Sequence, residues 1–160
     1  MSSIVPFHPA ASAFSAFAGE IRVKTAGRLQ FEDITGRVEG IVRASGVRNG
    51  TVNVQSLHTT AAVLVNEHEP LLLRDLRRHM ERLAPYRGKY QHDDFTVRTV
   101  NMTEEEKPNG HAHCKALLLD TSVQLNVLDG GVRLGRWQRI FLVELDRSRQ
   151  RTISVMVCGL

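Results

Sequence analysis

The sequence predicts a single compact α+β domain with an extended, mostly antiparallel β-sheet and about three helices. The chain has 160 residues, which is the length of one ordinary domain. Apolar residues recur with helical spacing in three segments, whereas alternation with a period of two dominates everything after Ser122. Apolar residues make up 42% of the chain and charged residues 24%, so the composition is that of a globular protein with its own core.

The N-terminal end is predicted to be a tail. Residues 1–18 are rich in Ala and Ser, and termini are poorly ordered unless packing holds them, so we place the domain at residues 19–160. Residues 1–19 contain no Lys or Arg, and Pro6 and Pro9 interrupt the apolar stretch. These features do not match a secretory signal peptide, which has a basic start and a continuous apolar segment.

The first half of the domain predicts strands and two helices. Ile21 and Val23 alternate with charged residues, as in a half-buried strand, and the spacing becomes helical after Asp33. Asn49-Gly50 marks a turn, and Pro70 suits the first turn of a helix. The predicted elements are a strand within 19–29, a helix from 33 to about 46, strands at 51–58 and 61–65, and a helix at 70–83.

The second half predicts a long irregular segment, one helix and a run of strands. Residues 84–109 show neither periodicity, apart from a short strand pattern at 95–100. Irregular segments of this length in a compact domain usually carry function. Asn109 suits the N-cap of a helix. The helix is predicted at 110–120, and strands follow at 122–127, 136–145 and 152–158.

Composition and charge narrow the class of protein. No apolar run exceeds the five residues 61–65, so no membrane span is expected. Cys114 and Cys158 lie far apart without a CxxC motif, which predicts reduced thiols and a cytoplasmic location. The net charge of +4 comes mostly from arginine and is compatible with a small anionic ligand. A nucleic-acid partner would rest on charge alone, because no recognition motif is present.

Histidines supply the main candidates for chemistry. His58, His92, His111 and His113 all fall at the ends of predicted elements or in loops, where binding sites form. Three neutral imidazoles can hold a divalent metal ion such as zinc and leave a position open for substrate. The residues alone leave a metal site and scattered surface histidines as equal alternatives. If the segment is helical, His111 and His113 point about 200° apart, so only one of them faces the site.

Two carboxylates are candidate catalytic groups. Glu67 follows a predicted strand and could ligate a metal, act as a general base, or serve only as an acid before the next helix. Asp75 lies on an arginine-rich helix, where it could orient a histidine or could pair with Arg78 or Arg82. All of these alternatives stay open.

A set of ordered motifs resembles the YjbQ-like family, and the resemblance covers about Phe17 to Gly159. The motifs are Ser56-Leu57-His58-Thr59-Thr60-Ala61, Val65-Asn66-Glu67, Tyr90-Gln91-His92, Asn109 to His113, Leu134-Gly135-Arg136-Trp137-Gln138 and Glu144-Leu145-Asp146. The chain departs from the family pattern with Asn126 where Pro is usual, Arg136 where Thr is usual, and Arg147-Ser148 in place of Gly-Pro. None of these departures removes a candidate ligand.

The resemblance implies a compact α+β fold, assembly as a homotrimer, and a polar pocket in which His58, His92 and His113 hold a metal ion. It also implies the activity of a secondary thiamine-phosphate synthase, which joins a pyrimidine diphosphate to a thiazole phosphate. Within the motifs, we expect a set of polar residues to bind the substrate. That set is Thr59, Thr60, Asn66, Arg136 and Gln138.

The sequence is compatible with two alternative functions. The first is a metal-assisted enzyme acting on a small phosphorylated substrate, with Glu67 or Asp75 handling a proton. The second is a non-catalytic trimeric module that binds a small anion. We also expect Arg136 and Trp137 to project to opposite faces of a strand. Arg136 would then either bind an anion or form a surface salt bridge with Glu144 or Asp146.

Overall fold

The computed structural model describes residues 13–160, and within them the chain forms eight strands and three α-helices. The first half contains β1 (Ser15–Lys24), β2 (Gln30–Asp33), α1 (Thr35–Ser45), β3 (Gly50–Ser56), β4 (Ala61–Glu67) and α2 (Pro70–Leu83). The second half contains α3 (Gly110–Ala116), β5 (Ser122–Leu128), β6 (Gly131–Val132), β7 (Gln138–Glu144) and β8 (Gln150–Gly159). A single 3₁₀ turn, Gln91–Asp93, lies between α2 and α3.

The strands form two sheets. The larger sheet has the order β1-β8-β3-β5-β6, and the smaller one has the order β2-β7-β4. Every strand pairing between described residues is antiparallel. The sequence predictions of an α+β fold, mostly antiparallel pairing and three helices are therefore confirmed. The expectation of one extended sheet is corrected, because β2, β4 and β7 pair only with each other.

Strand β7 shows why the domain has three layers. Ile140 and Leu142 are fully buried in the core between the two sheets. Phe141 and Val143 point to the opposite face, where they pack with residues of α2 and α3 in a second core. Successive side chains of a strand face opposite sides, so a strand covered on both faces is apolar throughout. The smaller sheet is therefore the middle layer between the larger sheet and α2 with α3.

The helices follow from local signals in the sequence. Val38 and Val42 on α1 are buried in the core between the sheets, and the helix ends at Gly46, whose φ of 70° suits glycine. The side chain of Glu69 accepts hydrogen bonds from the backbone N–H groups of Leu71 and Leu72 and so caps α2. The acid that caps this helix is therefore Glu69 and not Glu67.

Several predicted elements differ from those in the structure, and α3 ends at Ala116 and not at residue 120. Strand β1 begins at Ser15 and pairs with β8 as far as Gly159, so residues 15–18 of the predicted tail belong to the larger sheet. The question of a signal peptide concerns mainly residues 1–12, which lie outside the described residues. Residues 95–100 form no strand. Among residues 13–160, no helix combines the length and apolar character that crossing a bilayer requires.

Candidate functional site

The three motif histidines line one cavity, which we call the histidine pocket. Its volume is about 500 Å³, and it lies where the ends of β3 and β8 meet α3 and the loop before it. His58, His92 and His113 contribute side chains from three separate parts of the chain. The remaining lining residues are Leu57, Thr59, Thr60, Arg98, Asn101, Thr103, Glu106, Asn109, Arg149 and Arg151.

His58 is fixed in one orientation by the neighbouring strand. The backbone N–H of Thr152 donates a hydrogen bond to Nε2 of His58 over 2.7 Å. A nitrogen that accepts a hydrogen bond carries no proton, so the proton of the neutral ring lies on Nδ1. Burial lowers the pKa of His58, and the charge of Arg151 lowers it further. His58, which lines the histidine pocket, therefore has its N–H donor at Nδ1.

His92 and His113 form a pair. Their ring centroids are 4.6 Å apart and the ring planes meet at 61°. Nε2 of His92 is buried and has no hydrogen-bond partner within residues 13–160. The pKa of His113 is lowered first by burial and then by the neighbouring His92 and Arg98. The two rings therefore lie close enough to contact one ligand.

Asp93 brings the loop that carries His92 onto the start of α3. Its Oδ1 accepts hydrogen bonds from the backbone N–H groups of Asn109 and Gly110, each over 2.8 Å. A Cβ atom at Gly110 would lie 2.6 Å from Cβ of Tyr90, which explains the glycine at this position. Asn109 is 6% exposed, and its buried Oδ1 has no partner among the described residues.

The floor of the pocket is a buried ion pair between the two sheets. Arg151 is 3% exposed and donates to the carboxylate of Glu144, which is fully buried, over 2.7 Å from Nε. The same guanidinium donates to Oγ1 of Thr60 over 3.0 Å and to its carbonyl oxygen over 3.2 Å. Charge-assisted hydrogen bonds of this kind hold a guanidinium rigidly. Thr60 and Arg151 are therefore fixed beneath the histidines.

The irregular segment after the 3₁₀ turn is held by Arg98. Its guanidinium donates to the carbonyl oxygens of His92, Val100 and Asn101 over 3.3, 3.3 and 2.7 Å. Arg98 also lies 3.6 Å from the carboxylate of Glu106. The segment thus folds back on itself and forms one wall of the histidine pocket.

The metal site is the part of the prediction that fits least well. No three side chains of His, Cys, Asp or Glu within residues 13–160 are spaced to hold one metal ion. His58 is the histidine that does not fit, because its Nε2 already accepts the N–H of Thr152. His92 and His113 do fit as a pair, since Nε2 of His92 is orphaned beside the neutral ring of His113.

The structure divides the predicted substrate-binding residues between two places. Thr59 and Thr60 line the histidine pocket. Asn66 and Gln138 lie at the other end of the smaller sheet, where β4 and β7 pair Asn66 with Arg139 and Glu67 with Gln138. Six residue steps along β4 separate the two ends, a distance of about 20 Å. One chain therefore does not bring these motifs into a single site.

Glu67 and Asp75, the predicted catalytic carboxylates, also lie outside the histidine pocket. Glu67 lines a separate surface pocket of about 330 Å³ with Arg136 and Trp137. Asp75 is on an exposed face of α2 and pairs with Arg78, as the structural alternative for this residue predicts. Neither carboxylate contacts a motif histidine.

Arg136 and Trp137 do not face opposite sides of a strand. β7 begins only at Gln138, and the two residues lie in a turn closed by a 3.0 Å hydrogen bond from the N–H of Gln138 to the carbonyl oxygen of Gly135. The guanidinium of Arg136 lies 4.5 Å from the centroid of the Trp137 ring, a cation–π contact. The expectation from strand alternation is therefore corrected.

Comparison with known proteins identifies the family. The family model described as UPF0047 protein YjbQ-like matches residues 19–160. The chain belongs to the YjbQ-like UPF0047 family. A UPF0047 protein of Archaeoglobus fulgidus is 40% identical over 136 residues, which cover 85% of this chain and 97% of the relative. A UPF0047 protein of Methanothermobacter thermautotrophicus is 36% identical over 143 residues, 89% of this chain and 92% of the relative.

Solved structures of YjbQ-like proteins share the fold. A YbjQ-like protein of unknown function from Sulfolobus solfataricus P2 gives a TM-score of 0.82 at 33% identity, covering 92% of this chain and all of that one. A hypothetical protein from Aeropyrum pernix K1 gives 0.78 at 37% identity, covering 89% and 98%. The resemblance read from the motifs and the predicted fold class are both confirmed.

Several residues that line the histidine pocket of this YjbQ-like chain were not predicted from the sequence. Arg98, Asn101 and Glu106 come from the segment without periodicity, where no pattern predicts which side chains turn inward. Arg149 and Arg151 were visible only as part of the arginine-rich C-terminal region. For Arg151 a signal existed, since it shares the inward face of β8 with Ile153 and Val155, and a charge at such a position needs a buried partner.

Proposed function

We propose that the histidine pocket binds a small phosphorylated or otherwise anionic molecule and that the protein is a metal-assisted enzyme acting on it. One observation carries the proposal. Three histidine side chains meet in a single cavity with two buried polar atoms, Nε2 of His92 and Oδ1 of Asn109, that have no partner within residues 13–160. Buried polar atoms are almost always paired, so this arrangement favours a polar ligand.

The charges of the lining favour an anion. The pocket is lined by three arginines, Arg98, Arg149 and Arg151, and by one carboxylate, that of Glu106. The carboxylates of Glu144 and Asp146 are 0% and 4% exposed, so they hold arginines from behind rather than face the ligand. The N–H of His58 adds a neutral donor. Guanidinium groups and N–H donors are the groups that bind phosphate oxygens.

A divalent metal ion, zinc among the candidates, would be held by His92 and His113, with the amide oxygen of Asn109 as a further donor. When bound there it would supply Lewis-acid polarisation of a substrate oxygen. The neutral state of His113 suits this role, because a ligating nitrogen must be free of its proton. His58 is assigned to substrate binding and not to the metal.

The reaction that the family resemblance implies is the joining of a pyrimidine diphosphate to a thiazole phosphate. In that step the thiazole nitrogen forms a bond to the pyrimidine methylene carbon, the bond from this carbon to the diphosphate oxygen breaks, and inorganic diphosphate leaves with the electron pair. The residues of this chain would act on the leaving group. Arg149 and the N–H of His58 would bind the oxygens on which negative charge develops.

A second candidate function is a non-catalytic, trimeric module that binds a small anion. The observation that favours it is the absence of the predicted proton-transfer groups from the lining, since Glu67 and Asp75 lie elsewhere. The same arginines and histidines would then recognise the anion without turnover.

Product formation separates the two functions. Purified protein would be incubated with the pyrimidine diphosphate, the thiazole phosphate and either Mg²⁺ or Zn²⁺, and thiamine phosphate would be quantified by chromatography. The enzyme proposal expects product that is lost in His113→Ala and retained in His79→Ala, a substitution on α2 far from the pocket. Binding of the diphosphate by calorimetry without product would instead identify the binding module.

Two results would contradict the proposed site altogether. The first is product formation that is equal in His113→Ala and His79→Ala. The second is an affinity for the diphosphate that does not change in Arg149→Gln. In either case the chemistry or the ligand would belong to another part of the surface.

A further inference from the structure

A second cavity lies beside the histidine pocket, and we call it the Tyr86 pocket. It has a volume of about 650 Å³, larger than that of the histidine pocket. Its lining consists of Ala26–Arg28, Tyr86, Lys107–Pro108 and Asp146–Ser148. The linings of the two cavities adjoin along the chain. Lys107–Pro108 lies between Glu106 and Asn109 of the histidine pocket, and Asp146–Ser148 directly precedes Arg149.

Three cationic side chains converge on the Tyr86 pocket. They are Arg28, Lys107 and Arg147, whereas Asp146 is the single acidic residue of the lining. Asp146 is 4% exposed, and its carboxylate contacts Arg147 over 3.0 Å and Arg149 over 2.9 Å. Its charge is therefore matched by arginines on both sides. Arg28 also lies 4.0 Å from the carboxylate of Glu81, which is outside the lining. The lining itself carries three cationic side chains and one carboxylate.

An aromatic wall stands beside these charges. The guanidinium carbon of Arg28 lies 3.9 Å from the centroid of the Tyr86 ring, and about half of Tyr86 remains exposed. Ala26 and Pro108 add apolar surface to the same cavity. A guanidinium already seated over an aromatic ring is held in place and keeps donors free for a ligand. Flat apolar surface and cationic donors therefore occur together.

A buried histidine that is not part of the lining packs behind Tyr86. His111 is 2% exposed, its ring centroid lies 5.0 Å from that of Tyr86, and its Nε2 has no partner among the described residues. Nδ1 of His111 lies 3.4 Å from Nζ of Lys115, which is fully buried. Lysine has only donors, so Nδ1 accepts and the proton of the ring is on Nε2. An N–H donor is thus left unused beside the Tyr86 wall.

Helix α3 contributes His113 to the lining of the histidine pocket and contacts the other cavity only through Tyr86. His113 lines the histidine pocket, and His111, two residues earlier, packs against the wall of the Tyr86 pocket. The two histidines of this seven-residue helix therefore have different surroundings. It also shows that His111 neither replaces nor supports His113 in the histidine pocket.

We propose that the Tyr86 pocket is a second anion site, which binds a small molecule that carries a phosphate group on a flat ring. Arg28, Lys107 and Arg147 bind the phosphate oxygens, and Tyr86 with Pro108 contacts the ring. The site does not depend on the function proposed for the histidine pocket, because it shares none of that pocket's lining residues.

Calorimetric titration with phenyl phosphate tests the site directly. The wild-type protein should bind it, and the double variant Arg28→Gln/Lys107→Gln should bind at least about tenfold more weakly, since two charge-assisted contacts are lost. A double variant with the same change in charge, Lys24→Gln/Arg43→Gln, alters exposed residues on β1 and α1 and should keep the wild-type affinity. Circular dichroism would verify that all variants fold.

Two further titrations assign the binding event. Methyl phosphate has the same anionic group without a ring and should bind several-fold more weakly than phenyl phosphate to the wild type. His92→Ala changes only the histidine pocket and should leave the site in the Tyr86 pocket intact. The proposal is overturned if the Arg28→Gln/Lys107→Gln variant binds phenyl phosphate like the wild type, if methyl phosphate binds equally well, or if His92→Ala abolishes the binding.

Discussion

The backbone N–H of Thr152 donates a 2.7 Å hydrogen bond to Nε2 of His58, and this contact separates His58 from the other two motif histidines. A histidine that ligates a metal must offer a nitrogen without a proton. In His58 the nitrogen without a proton is Nε2, which already accepts the hydrogen bond from Thr152, and Nδ1 carries the proton. His92 and His113, whose rings lie 4.6 Å apart, remain free to act together.

Unequal effects on metal binding should follow from this difference. His92→Ala and His113→Ala should each lower zinc affinity by tenfold or more, on the order of the loss when a ligand is removed, whereas His58→Ala should have a smaller effect. Isothermal titration of tag-free protein with Zn²⁺ would measure this. His79→Ala, an exposed position on α2, is the control. Equal losses from all three pocket variants would show that His58 is a metal ligand after all.

Stability should fall as the pH is lowered below about 6.5. Burial lowers the pKa values of His58, His111 and His113, so the folded state binds fewer protons at these rings than the unfolded state. The free energy of unfolding therefore rises with pH below the unfolded histidine value of about 6.5 and levels off above it. Because the unfolded chain binds more protons at these histidines than the folded chain, lowering the pH favours the unfolded state.

Urea titrations at pH 8.0, 6.5 and 5.5 would measure this dependence, and this range keeps most carboxylates ionised. His111→Gln removes one titrating ring that is 2% exposed in the native state. Its difference in unfolding free energy between pH 8.0 and 5.5 should be smaller than that of the wild type, whatever its absolute stability. His79→Gln serves as the comparison. A pH dependence that is unchanged in His111→Gln would contradict the assignment.

The sequence predicted the secondary structure better than the arrangement of the site. The spacing of apolar residues located the helices and most strands, because this spacing shows which face of an element is buried. It could not show that β2, β4 and β7 form their own sheet, since pairing between distant strands leaves no local pattern. For the same reason Glu67 and His58 were assigned to one site, although β4 carries Glu67 about 20 Å away from the loop that bears His58.

The buried ion pair beneath the pocket should be important for stability. Glu144 is fully buried, so Arg151→Leu would leave its carboxylate without a charged partner and should lower the free energy of unfolding by about 3–5 kcal/mol. Replacing both residues by leucine should restore part of the loss. Arg43→Leu breaks the exposed pair with Glu39 and should cost less than about 1 kcal/mol. Urea denaturation would show the prediction to be wrong if Arg151→Leu and Arg43→Leu were equally stable.

We also predict a homotrimer, which the family resemblance implies. The outward face of β8 carries Thr152, Ser154 and Met156, so it offers less apolar surface than the alternating pattern suggested. Leu117 and Leu118 after α3 are 86% and 51% exposed and are better candidates for an interface. Light scattering should give three times the 17.9 kDa chain mass, and Leu117→Asp/Leu118→Asp should reduce it. A wild-type mass of one chain at micromolar concentration would exclude the trimer.

Arginines at the two ends of the smaller sheet should differ in their effect on anion binding. Arg149 lines the histidine pocket and is about one-third exposed, whereas Arg136 lies over Trp137 in the turn before β7. Arg149→Gln should therefore weaken the binding of inorganic diphosphate by about tenfold, the loss of one charge-assisted contact. Arg136→Thr, which restores the usual family residue, should leave the affinity for inorganic diphosphate unchanged if each histidine pocket is formed by one chain.

Both variants lose one positive charge, so a general effect of net charge would weaken binding equally in the two. A loss confined to Arg136→Thr would mean that the turn of one chain reaches the histidine pocket of another, and calorimetry on both variants would reveal it.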